Sequence, residues 1–174
     1  MLAALGITRD GKKHVLGVWQ GSTENARVSQ DLIDNLVERG LRTDRRLLFV
    51  LDGAKALSKA VKATFGKAAE IQRCHIHKER NVLSYLPGSH QAAVRRRLRN
   101  AWGLKRYHDA KAALKAAVAY LRGLSESAAS SLEEGLEETL TLHRLRFRSR
   151  SEPTFAARTR SRMSSRVCGR MLGM

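Results

Sequence analysis

At 174 residues the chain is long enough for one domain, or one and a half, and for a real hydrophobic core. Its 43% hydrophobic content excludes a disordered chain, and 33 Lys and Arg against 16 Asp and Glu leave a formal charge of +17. That excess favours a polyanionic partner over a merely soluble basic surface, because each neutralised phosphate releases counterions.

Two cysteines, Cys74 and Cys168, make no disulfide framework and suit a reducing cytoplasm. No apolar run approaches the roughly 20 residues of a membrane span. The opening MLAALGITRDGKK is too short in apolar residues for a signal peptide. It reads as a chain that begins inside a domain.

Residues 2–19 read as a hairpin, with Asp10-Gly11 between the apolar runs Leu2 to Ile7 and Val15 to Trp19. Next, Val28, Leu32, Ile33, Leu36 and Val37 recur at helical spacing, with Ser22 or Thr23 as cap and Gly40 as stop. RRLLFVLDG is a short apolar strand of the kind buried on both faces, followed by a helix over about residues 54–65. AEIQRCHIH reads as a further strand, and KERNVLSYLP as a helix ended by Pro87.

From Ser89 the chain becomes rich in Ala, Leu, Arg and Glu, with high helical propensity. The expected organisation is therefore a mixed α/β segment over 1–88 and a helical one over 89–145. A basic tail over 146–174 carries eight arginines and one acid and has neither the strand nor the helix period.

Three constellations could carry chemistry. Asp52 lies at the C-terminal end of a central strand, where open α/β sheets place ligands, and Gly53 allows a sharp turn. From these residues alone, a helix cap and a metal ligand stay open for Asp52. Cys74, His75 and His77 lie within four residues, and Cys-x2-His is zinc-like spacing. A structural zinc site needs four ligands, however, and His90 and His108 are not at partner spacing. On a strand, Cys74 and Ile76 would share one face, and His75 and His77 the other. Trp102 sits in RRRLRNAWGLKRY beside Arg95, Arg96 and Arg97, a pattern that suits phosphate contacts with base stacking. The other reading of Trp102 is packing inside the helical segment. The glutamates of LEEGLEETL read as a solvated helix face.

With these residues in view, the sequence resembles the bacterial Mutator-type insertion-sequence transposases. ALGITRDGKKHVLGVWQGSTENARV is similar to the strands after that family's first catalytic aspartate. LLFVLDGAKALSKAVKATFG and AEIQRCHIHKERNVLSYLP resemble its second-aspartate block with the Cys-x2-His signature, and LEEGLEETLTLHRL the segment before its glutamate. The resemblance covers residues 1 to about 145.

It implies a ribonuclease H-like mixed sheet with helices and an all-helical insertion. It also implies an Asp-Asp-Glu triad holding two divalent cations, Mg²⁺ or Mn²⁺, for DNA strand cleavage and transfer. Carried over, Asp52 is the second aspartate, catalytic and metal-binding, and Cys74 and His77 are the signature pair. Trp102 corresponds to a tryptophan of the insertion. The implied partners are insertion-element ends and target DNA, with a homo-oligomer when intact, a nucleoid-associated cytoplasmic location and no membrane.

The first aspartate and a glutamate motif close to STNPIE are not found at their expected places. The expectation is thus a truncated, inactive copy; the alternative is a non-catalytic basic DNA-binding remnant that modulates an intact transposase. A basic RNA-binding protein is a third reading, against which the aspartate block stands. The tail reads either as a disordered basic arm or as out-of-frame translation. Read from the third base of the Leu145 codon, one allowed back-translation gives SVPEPLRTDIRSTNPIENVFSSVRAH, with its motif glutamate straddling Ser161 and Arg162. The coding DNA is expected to restore that motif in a shifted frame near codon 145; a sequence that restores none removes the frame explanation.

Overall fold

The structure, a computed structural model, describes residues 2–8, 10–21 and 25–146, and the backbone alone of 169–173. The chain forms two compact units. One comprises residues 1–71 with the strand at 169–173, the other Gln72–Arg146.

The first unit is built on a five-stranded sheet. Strands β1 (Leu2–Ile7) and β2 (Lys13–Trp19) form the expected antiparallel hairpin, pairing Leu2 with Trp19 and Ile7 with Lys13. Helix α1 (Ala26–Glu38) follows, then β3 (Leu47–Leu51), α2 (Lys55–Phe65) and β4 (Ala69–Arg73). A last strand, β5 (Gly169–Gly173), completes the order β2-β1-β5-β3-β4. β5 runs parallel to β1 and antiparallel to β3.

The core of this unit follows from strand alternation. Leu2 and Ala4 of β1, with Leu47, Phe49 and Leu51 of β3, meet Leu32, Ile33 and Leu36 of α1 and Leu57, Val61 and Phe65 of α2. Leu48 points the other way and is also fully buried, as a strand buried on both faces requires. The start of α1 is capped by Asn25, whose side chain accepts from the N–H groups of Arg27 and Val28. The expected caps, Ser22 and Thr23, lie outside the described residues. At its other end the N–H of Gly40 bonds Val37 and that of Leu41 bonds Leu36, a Schellman closure. Gly40 takes the positive φ of 100° that this closure requires.

β5 falls in the tail, where no periodic strand pattern is present. β1 and β3 each offer an edge, and ladder pairing uses main-chain groups, so a segment without alternation can take that place. The remaining tail residues lie outside the described set.

The second unit is helical: α3 (His75–Leu83), α4 (Gly88–Gly103), α5 (Tyr107–Arg122), α6 (Glu126–Glu133) and α7 (Thr141–Arg144), with a 3₁₀ turn at Glu137–Leu140. Val82, Leu83 and Leu86 share one core with Leu98, Leu114, Leu121, Leu132 and Leu140. The compact helical unit therefore takes in α3 and starts at Gln72, ahead of the composition change at Ser89. The strand expected through His77 stops at Arg73, and α3 starts at His75. Among the described residues no helix is long and apolar enough to cross a membrane.

Leu98 is fully buried in the helical core. Leu98→Ala is expected to lower stability by about 2–5 kcal/mol, whereas a change at exposed Arg96 stays within about 0.5 kcal/mol. Urea unfolding followed by far-ultraviolet circular dichroism checks both.

Candidate functional site

Asp52 lies just past β3, and Gly53 takes a φ of 118°, a backbone only glycine adopts freely. Asp52 Oδ1 accepts the Ala54 N–H at 3.0 Å, an Asx turn that leads the chain into α2. Ala54, the residue at the cap position, offers no side-chain bond, so Asp52 performs the local capping there. The side chain is half-buried.

The Cys-x2-His spacing acquires its meaning from α3. Because Cys74 is the cap residue of this helix, Cys74 and His77 stand one turn apart on the same face. Their Sγ and Nδ1 atoms are 3.3 Å apart. The strand alternation, which would have separated them, does not apply. Two ligands do not complete a tetrahedral zinc site.

His75 faces the interior. Its ring stacks on Trp102 with centroids 4.5 Å apart and planes 5° from parallel. Its Nε2 lies 2.7 Å from the Thr139 carbonyl, which only accepts, so the proton is on Nε2. Gln72 Nε2 donates to the same carbonyl at 2.9 Å, and Gln72 Oε1 accepts the Leu142 N–H at 3.0 Å. Trp102 is 9% exposed and donates from Nε1 to Thr139 Oγ1 at 3.2 Å. The structure thus places Trp102 in the helical core, with no open ring face for a base. Its basic neighbours differ, because they occupy the outer positions of the same helix.

On α4, Val94, Leu98 and Ala101 face the core, which turns four arginines outward. Arg99 grips Glu79 of α3 with two bonds, Nε to Oε2 at 2.7 Å and Nη2 to Oε1 at 2.8 Å. Arg95 Nε reaches Oε1 of the same carboxylate at 3.3 Å. Arg97 lies on the opposite flank, its guanidinium 4.3 Å over the ring of Tyr120 in α5. Arg96, between the flanks, is exposed. The glutamates of the LEEGLEETL segment are engaged elsewhere: Glu133 with Arg122, Glu137 with Lys111, and Glu138 with Arg73. Buried Lys78 donates to the Ser131 carbonyl at 2.5 Å, and its burial pushes its pKa down. Glu79 and Arg99 were not singled out by sequence patterns. They stand 20 residues apart, and only the packing of α3 on α4 pairs them.

The family model described as "Transposase, Mutator family" matches residues 1–157. The chain belongs to that family. It is 29% identical to the transposase for insertion sequence element IST2 of Acidithiobacillus ferrooxidans, over 82% of this chain and 48% of that protein. Against the transposase for IS6120 of Mycolicibacterium smegmatis it is 28% identical, over 100% of this chain and 56% of the relative. The transposase for ISRM5 of Rhizobium meliloti is 32% identical, over 83% and 36%. This Mutator-family chain thus spans about half the length of the first two relatives.

The divalent cation implied by the resemblance can be tested against the donor set. Among the described residues no group of three or more His, Cys, Asp or Glu side chains could hold a metal ion. Asp52 supplies one carboxylate, with one oxygen already engaged by Ala54. A cation of the Mg²⁺ type needs about six oxygen ligands. The described residues therefore do not fit a two-metal site, and no metal-dependent step follows from them.

One pH effect follows from His75. Burial, the largest influence, pushes its pKa below the usual 6.5, against the smaller upward pull of the Thr139 carbonyl bond. The folded state thus prefers the neutral ring. Its contribution is fully present above pH 6.5 and is lost as pH falls below that value toward the folded pKa. Urea midpoints followed by tryptophan fluorescence are expected to drop between about pH 7.5 and pH 5, and to drop less in His75→Gln.

Proposed function

We propose that this chain is the part of a Mutator-family transposase that holds DNA, and that it does not cleave DNA unaided. The observation that carries this reading is the outer face of α4. There Arg96 lies opposite the core with Arg95 and Arg99 on one flank and Arg97 on the other, in a chain of net charge +17. Guanidinium forks match phosphate oxygens, and counterion release makes such a face bind a duplex without regard to sequence. The family membership supports DNA as the polyanion: insertion-element ends and target DNA are the substrates of the reading.

In the same reading the first unit is part of a ribonuclease H-like core and the helical unit is the insertion within it. Asp52 is the family's second metal-binding aspartate, retained by descent and acting here as the cap of a turn. Strand cleavage and transfer belong to an assembly whose other carboxylates complete the metal site. Within such an assembly the chain would modulate an intact transposase by occupying DNA or by mixed oligomerisation. Supporting the non-catalytic part, Asp52 belongs to no group of three or more His, Cys, Asp or Glu side chains among the described residues.

Fluorescence anisotropy with a short labelled duplex is expected to show binding that weakens steeply with salt, with a slope of about 0.9 per phosphate contact. Asp52→Ala is expected to bind equally well. No nicking or joining of element-end DNA is expected with Mg²⁺ or Mn²⁺. Metal-dependent cleavage that disappears in Asp52→Ala would overturn the non-catalytic reading, and tighter binding to structured RNA than to duplex DNA would overturn the DNA reading.

A further inference from the structure

The four arginines of α4 are not equivalent. Seen down the helix at 100° per residue, Arg95 and Arg99 lie on the flank toward α3, Arg97 on the flank toward α5, and Arg96 between them. The two on the first flank share a single acceptor. The Glu79 side chain is 11% exposed, while those of Arg95 and Arg99 are 41% and 46% exposed. A carboxylate anchored inside thus holds two guanidiniums whose outer edges face solvent. Arg95 commits only Nε to Glu79, so the N–H donors of both its Nη groups are not used in that bond. Arg99 uses Nε and Nη2, leaving Nη1. The trio carries a net charge of +1 with its negative member inside and its positive members outside.

The same asymmetry of burial occurs in Arg46 with Glu70; here the buried acid holds two arginines at once. Here the asymmetry of burial turns the acid into an anchor and the bases into donors. A long arginine that is already held loses less freedom when it meets a phosphate. Arg97, on the other flank, lies over the exposed ring of Tyr120.

We propose that Glu79 is a positioning residue for DNA: it holds Arg95 and Arg99 in the orientation in which they grip the phosphate backbone. The proposal rests on the DNA-binding reading of α4 and adds the residue that orients it. The ligand class is the phosphodiester backbone of a duplex, and the contact carries no base specificity.

The sign of one substitution separates positioning from simple charge. Glu79→Gln removes a negative charge beside the phosphate path, so a face that acts only through net charge would bind more tightly. If Glu79 orients the arginines, Glu79→Gln instead weakens duplex binding about tenfold, the scale expected when two long side chains must be ordered on binding. The full chain is titrated against a labelled duplex by anisotropy at several salt concentrations, with a thermal melt of each variant as the folding control. Equal or tighter binding by folded Glu79→Gln overturns the proposal.

The double variant Arg95→Lys with Arg99→Lys keeps both charges but loses the planar forks. It is expected to bind more weakly with an unchanged salt slope, and unchanged affinity overturns the proposal. It also decides the matter should Glu79→Gln be unfolded at the assay temperature. Replacing both arginines by alanine is expected to lower the slope by about 2, and an unaltered slope places the grip elsewhere. Failure of the wild-type chain to bind duplex DNA at all would instead refute the underlying reading, independently of any variant.

Discussion

The helical unit closes on one buried carbonyl. Thr139 C=O receives Gln72 Nε2 and His75 Nε2, while the Thr139 hydroxyl receives Trp102 Nε1 and itself bonds the Leu136 carbonyl. Gln72 also accepts the Leu142 N–H through its amide oxygen. Residues about 70 positions apart, the entry into the unit and its last helix, are thereby tied through buried and part-buried groups. Leaving any of these buried polar atoms without a partner costs about 1–3 kcal/mol, so the network holds together or is lost as a whole. It also orients α4, since Trp102 is one of its members. With Trp102 turned inward, the arginines of the same helix are turned outward.

That coupling links packing to charge. A single amphipathic helix supplies the apolar ridge Val94, Leu98 and Ala101 to the core and the basic ridge to solvent. Its neighbours then determine how mobile the basic ridge is. α3 contributes a carboxylate to one flank and α5 an aromatic ring to the other. Some other ion pairs, such as Arg122 with Glu133, join groups that are both about half exposed and so contribute little to stability. Glu79, like Glu70 beside Arg46, is by contrast anchored inside.

In the sheet unit, Asp52 serves the turn after β3. The turn after β3 needs a side-chain acceptor for the Ala54 N–H and a glycine at positive φ, and Asp52-Gly53 provides both. The same position, at the C-terminal end of a central strand, is where sheets of this kind place ligands.

Much of this architecture was legible from residues alone. The Asp10-Gly11 hairpin, the apolar run Leu47 to Leu51, the helix after it and the helical composition from Ser89 each carry a local signal that tertiary packing did not reverse. The basic character of α4 was equally plain. The switch from strand to helix after Arg73 was not, because Ile71 and Ile76 suit either period and only the geometry of the chain past Cys74 sets the helical one. The inward turn of Trp102, the partnership of Glu79 with Arg95 and Arg99, and the strand formed by 169–173 depend on residues that sequence separates widely. The sequence by itself determined which segments are helical, which are apolar and where positive charge accumulates, because these are properties of neighbours along the chain. Only the tertiary structure decided which charges are anchored and which face outward, because burial is set by the elements that pack against a residue.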